Sequence, residues 1–292
     1  MSFQSTGEMK QLALERGIPL WQAVMEADAE EQDITPEASM EKMRFIWEAM
    51  KDAIRGYDPN MLSRSGLVGA EGGKMEQYAA LGDTFCGPFV SKIVARALMM
   101  GCSNACMRRI VAAPTAGACG VLPALLYTCW EERDCSDEEI VHALYACAGF
   151  GQVIANRASI SGAQGGCQAE IGSAAAMGAV ALVALKNGTP EQMEDACAMA
   201  LKNLMGLVCD PVAGLVEVPC VKRNVIGAMD ALSAGDMALA GIHSTIPADE
   251  VIDTMGRVGN AMSPRLKETA KGGLAISPTA KAFTARWKAG EE

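Results

Sequence analysis

Apolar residues recur along this chain at the three-and-four spacing of helices, and the gaps between runs carry helix-start and helix-stop chemistry. Thr35 followed by Pro36 reads as an N-cap and first turn. The run through Met40, Met43, Ile46, Trp47, Met50 and Ile54 follows, with Gly56 as the stop. Ser136-Asp137-Glu138-Glu139 is a capping box that opens a helix toward Gly149. Thr189-Pro190-Glu191 repeats the cap-then-proline signal and leads toward Gly206. Pro247 starts another helix, with Asp249 and Glu250 in its first turn, running to about Met262. Strand signals are scarce, and the short Leu215–Val218 run is the best of them. The pattern predicts an all-α fold of some ten helices in a single domain spanning residues 1–292. Residues 1–56 would form a helical layer rather than an independent unit. The Ala- and Gly-rich segment 168–185 would be a central helix, because small residues let helix backbones approach closely.

The connections are less ordinary. Ser65–Lys74, Ala113–Gly120, Ser159–Cys167, Cys209–Cys220 and Thr269–Thr279 are rich in Gly, Pro and small hydroxyl residues. One such loop is an ordinary helix connection. Five between apolar flanks suit close backbone approach to a ligand.

Composition narrows the class. The 292 residues are 50% hydrophobic, which excludes a mainly disordered chain. With 25 Lys and Arg against 35 Asp and Glu, the formal net charge is −10. A phosphate-backbone binder needs a cationic footprint, so nucleic acid is not expected as a partner. No secretory start is present. The longest clean apolar helix candidate, between Glu170 and Lys186, has 15 residues, short of the roughly 18–20 that cross a bilayer. The Ile110–Trp130 stretch is broken by Pro114, Gly117, Gly120 and Pro123. Neither is expected to meet a membrane, and the expected location is the cytoplasm.

Eleven cysteines in such a chain point to thiols, some of them available to a metal. Cys129, Cys147 and Cys197 lie in apolar helical sequence and read as core. Cys167, Cys209 and Cys220 differ: each sits beside Gly or Pro at a loop–helix boundary. Their separations of 42 and 11 residues match no local metal motif. Spacing alone therefore leaves core packing and ligation both open.

Several longer motifs resemble the iron–sulfur-dependent L-serine dehydratases, specifically their α chain. They are Ala112–Gly120 (AAPTAGACG), Ala158–Ala163 (ASISGA), Gly166–Glu170 (GCQAE), Gly206–Gly214 (GLVCDPVAG), Val218–Asn224 (VPCVKRN) and Glu268–Ala275 (ETAKGGLA). The resemblance covers nearly the whole chain. It implies deamination of L-serine to pyruvate and ammonia without pyridoxal phosphate. It further implies a four-iron–four-sulfur cluster held by Cys167, Cys209 and Cys220, with one open iron. Single-chain members carry an additional N-terminal domain that two-chain members place on a separate β chain, so a β-chain partner is expected. Some members end in a cysteine tail; here the last cysteine is Cys220, so a tail-capped resting state is not expected.

Serine's hydroxyl is a poor leaving group and its α-hydrogen is weakly acidic, so elimination needs an acid and a base. An open metal position polarises a bound hydroxyl. Thr115, Ser159 and Ser161 offer hydroxyls and Gly117 and Gly162 offer bare amides for substrate. Arg223 would bind a carboxylate or balance the cluster. The base is less clear. His142 and His243 read as structural or surface residues. Lys74, in a glycine loop, would serve if desolvated; a base from the partner chain is the other possibility. Three rival readings remain: a related lyase acting on threonine or cysteine, a non-catalytic metal-binding helical subunit, and a zinc hydrolase, which would need an all-thiolate zinc because no histidine lies near the candidate cysteines.

Overall fold

The structure, a computed structural model, describes residues 3–290. Among these, thirteen α-helices form the fold, and the sole β feature is an isolated bridge between Cys209 and Lys267. The all-α expectation holds. Three N-terminal helices come first: α1 (Thr6–Arg16), α2 (Leu20–Gln32) and α3 (Pro36–Arg55). Then follow α4 (Glu71–Ala79), α5 (Gly87–Ala105), α6 (Val121–Glu132) and α7 (Asp137–Arg157). The short α8 (Gly162–Gly165) leads through a π-helical turn (Gln168–Gly172) into α9 (Ser173–Leu185). The chain finishes with α10 (Pro190–Asn203), α11 (Cys220–Leu239), α12 (Ala248–Ala261) and α13 (Pro278–Ala289).

Capping chemistry sets several boundaries. The Thr35 hydroxyl accepts from the Ala38 amide at 3.2 Å, and Pro36 opens α3. Ser136 with Glu139, and Thr189 with Gln192, each form a complete capping box. One stop signal misleads. α7 runs through Gly149 to Arg157, because Gly149 serves packing rather than termination. A Cβ there would lie 2.6 Å from Met9 Sδ and 2.7 Å from Val24 Cγ2, so its absence lets α1 and α2 lie against α7.

α9 is the central helix. It packs against α6, α7, α10 and α11, and nearly all its side chains from Ser173 to Val183 are buried. At Gly178 a Cβ would meet Leu125 Cδ1 at 2.7 Å and Ala231 Cβ at 3.0 Å, so side chains of α6 and α11 pack directly onto the α9 backbone. The π turn continues directly into α9, so Gln168–Leu185 reaches 18 residues, longer than the 15-residue run of the sequence reading. By length and composition this helix could cross a membrane, but 78% of it is buried within the fold. α2 and α3 lie on α7 as an outer layer.

The Leu215–Val218 segment is not a strand. Its backbone bonds close locally: Val212 N donates to Val218 O, Leu215 N to Val212 O and Glu217 N to Leu215 O. With these groups used inside one turn, no ladder forms.

Candidate active site

Three loops and one helix start bring the distant cysteines together. Gly166, at φ +78°, turns the chain out of α8 and places Cys167 at the head of the π turn. The next residue, Gln168, is fully buried and ties this turn down. Its Nε2 donates to Met255 O at 3.0 Å, its Oε1 accepts from Gly206 N at 2.8 Å, and its own amide donates to Leu207 O at 2.9 Å. Cys209 is held from the other side: its amide donates to Leu266 O and its carbonyl accepts from Glu268 N, both at 2.8 Å. Cys220 is the first residue of α11, directly after Pro219.

Cys167 and Cys209 are buried and Cys220 is half-buried. Burial pushes the Cys167 thiol up to about 11, with Arg223 pulling against it. Burial, with Cys167 and Glu170 adding to it, pushes Cys220 up to about 12. Cys209 is raised further by burial, then by Cys167, Glu170 and Cys220. The three sulfurs therefore lie within electrostatic reach of one another, although 53 residues separate the first from the last. They do not surround a point. Among the described residues no three His, Cys, Asp or Glu side chains are placed to hold one metal ion. A single ion needs its sulfurs about 2.3 Å from one centre, whereas a cluster takes each thiolate on a different iron. Three thiols within electrostatic reach, beside a guanidinium, are a donor set of the chemical kind that a cluster takes.

Arg223 is committed within the protein. Its Nη1 donates to Val208 O at 2.6 Å and its Nη2 to Asp210 Oδ1 at 2.8 Å, and the guanidinium also reaches the Cys167 sulfur. It braces the thiol loops rather than standing free for a substrate carboxylate. The second oxygen of Asp210 accepts from Leu274 N at 2.7 Å, fastening the Thr269–Thr279 loop to the same point.

The GCQAE motif by itself assigns no role to Glu170. Half-buried on the π turn, its Oε1 accepts from the Thr115 hydroxyl at 3.0 Å. Burial holds its carboxyl above the usual carboxylate range, with Thr115 opposing. Gly117 and Gly162 face this carboxyl. A Cβ on Gly117 would stand 3.1 Å from Oε1; one on Gly162 would stand 2.6 Å from Oε2 and 3.0 Å from Cys209 Sγ. Both glycines make room beside the carboxylate. Thr115 also caps its own 3-10 turn by accepting from Ala118 N. Asn224 was missed too. Buried on α11, its Oδ1 accepts from Gly120 N at 2.7 Å, and its Nδ2 donates to Gly117 O at 2.9 Å and Cys220 O at 3.1 Å. It locks the Ala113–Gly120 loop onto the Cys220 helix.

Other candidates lie elsewhere. Ser159 donates to Gln164 Oε1 and accepts from Ser161 N, and it lines a cavity that none of the three cysteines borders. Ser161 occupies the N-cap position of α8. Lys74 is not in a loop: Glu71-Gly72-Gly73 open α4, and Lys74 is an exposed residue of that helix, so the burial that would make it a base is not supplied by this chain. The two glycines before it are needed for packing, since a Cβ on Gly72 would meet Met99 Cγ at 2.5 Å. His142 stacks on Trp21 with centroids 3.6 Å apart, and His243 pairs with Asp195 at 2.8 Å.

The all-helical domain thus gathers two buried thiols, one half-buried thiol, a carboxyl and an internal guanidinium from separate segments. The chain belongs to the serine dehydratase alpha chain family, whose pattern matches residues 15–275. It is 43% identical over 279 residues to the "Probable L-serine dehydratase, alpha chain" of Bacillus subtilis, covering 96% of this chain and 93% of that one. It is 40% identical over 266 residues to the "L-serine dehydratase, alpha chain" of Peptoniphilus asaccharolyticus, covering 91% of each. The "L-serine dehydratase" of Streptomyces coelicolor is 36% identical over 286 residues, but this chain covers only 61% of its length.

Proposed function

We propose that this chain is the catalytic α subunit of an L-serine dehydratase, converting L-serine to pyruvate and ammonia in the cytoplasm together with a separate β chain. Cys167, Cys209 and Cys220 would hold a four-iron–four-sulfur cluster. When bound, such a cluster supplies a Lewis-acidic iron that favours departure of the serine hydroxyl. The observation that carries this reading is the gathering of three cysteines, distant in sequence, in a chain of this family. Burial that holds the free thiols protonated also means that cluster binding displaces protons from them.

The chain's own residues have distinct tasks. Thr115 donates to Oε1 of Glu170, leaving Oε2, which lies against the Gly162 backbone, as the oxygen that can carry or take a proton. A half-buried carboxyl whose proton affinity is raised by burial suits acid–base work. Arg223 offsets negative charge at the Cys167 loop, and Asn224 and Gln168 fix the loops. Once water is eliminated, the enamine tautomerises to the imine and hydrolyses without further protein groups.

The test is anaerobic reconstitution with iron and sulfide in the presence of the β chain. The wild-type complex should bind about four irons per α chain, show a visible band bleached by air, and form pyruvate. Cys167→Ala, Cys209→Ala and Cys220→Ala should each lose both iron and turnover. Absence of bound iron in the complex, or full activity in Cys167→Ala, overturns the reading. Threonine supplied in parallel, with 2-oxobutyrate as the readout, sets the substrate preference.

A further inference from the structure

A cavity of about 520 Å³ opens between α12 and the segment that carries Cys167, bordered by none of the three cysteines and not by Thr115, Gly117, Gly162 or Glu170. Three cations line it. Arg157 is already matched, its Nε and Nη2 bound to the two oxygens of Asp253 at 3.0 and 2.7 Å, and Asp253 is the single carboxylate in the lining. Arg257 reaches only the hydroxyl of Thr254, and Lys267 makes no ion pair among the described residues. Two unmatched positive charges thus face one concavity in a chain whose formal net charge is −10. Neutral donors Gln164 and Asn260 complete the rim. Positive charge gathered in a concave site selects an anion.

We infer that this cavity is a binding site for a small anion bearing a carboxylate or phosphate group, separate from the thiol site. Its position gives such a ligand leverage. Lys267 lies between the two residues whose backbones bond to Cys209. Gly165, on the opposite wall, lies so close to α12 that a Cβ on Gly259 would stand 3.0 Å from its Cα. An anion held by Arg257 and Lys267 bridges α12 to the segment whose backbone bonds to Cys209.

Calorimetric titration of the purified chain with inorganic phosphate and, separately, with malonate, at fixed ionic strength set with chloride, tests the site. The expected result is saturable one-to-one binding of at least one probe. Binding by phosphate alone assigns a phosphate-bearing ligand, and binding by malonate alone a carboxylate. Arg257→Gln and Lys267→Gln should each weaken it at least about ten-fold. Lys186→Gln, which removes an exposed cation outside the cavity, should change it by less than about two-fold. Circular dichroism establishes that each variant is folded. No saturable binding of either probe below about 10 mM, or unchanged affinity in both cavity variants, overturns the inference.

Discussion

At the scale of single residues, the half-buried Glu170 and the buried Asp230 differ in what burial does. Glu170 has a hydroxyl donor on one oxygen and only the bare backbone of Gly162 close against the other. Glu170→Gln keeps the shape and the Thr115 contact but removes proton exchange. Its kcat should fall by about 100-fold or more with little change in iron content, measured as pyruvate formation and iron assay on one preparation. Asp230, on α11, is far less well served. Oδ1 accepts from Asn203 Nδ2 at 2.7 Å, while Oδ2 is buried without a partner. Burial raises its pKa from 3.8 to about 6. The unfolded chain therefore ionises first. The contribution of Asp230 to stability is greatest below pH 4 and is lost as pH rises through about 6, a loss of at most about 3 kcal/mol. Urea unfolding of wild type and Asp230→Asn at pH 4.5 and 7.5 checks this: the variant's stability relative to wild type should increase with pH.

Among the elements, helices governed by local chemistry were legible. Thr35, Ser136 and Thr189 each cap where the sequence places them, because capping is decided within four residues. Glycine was ambiguous. Gly56 ends α3, but Gly149 sits inside α7 and Gly72 and Gly73 inside α4, since a glycine chosen for close packing looks like one chosen for a turn. Leu215–Val218 had strand composition without a partner to pair with. The packing use of glycine makes a prediction at Gly178. At an exposed helical position, Gly→Ala gains roughly 1 kcal/mol of helix propensity. Here the added methyl meets Leu125 and Ala231. Overpacking of about 1–3 kcal/mol should therefore win, so Gly178→Ala should lower the urea midpoint.

Across the whole molecule, the site depends on ties that no local pattern contains. The cysteine motifs could be seen in the sequence. Not visible were the contacts that bring them together: Asn224 to Gly117 across 107 residues, Gln168 to Met255 across 87, and Asp210 to Leu274 across 64. Each joins segments whose proximity exists only after folding. Asp210 carries the most, because one buried carboxylate serves both Arg223 and the Leu274 amide. Asp210→Ala strands a largely buried guanidinium, and breaking such a pair costs about 3–5 kcal/mol. The variant should unfold at lower denaturant and show faster amide hydrogen exchange at Leu274 and its neighbours, while the α1–α3 layer exchanges as before.

The wide turn at Gln168–Gly172 has a consequence for how this family can change. Such a turn is an α-helix carrying one surplus residue. Deleting that residue would give a more regular ladder and leave α9 in register with its neighbours. It would also swing everything upstream by about 100° around the axis, carrying the Cys167 sulfur away from its two companions. Tidier geometry and lost chemistry would arrive through one and the same edit, so selection for stability alone pushes against the irregularity on which the trio depends.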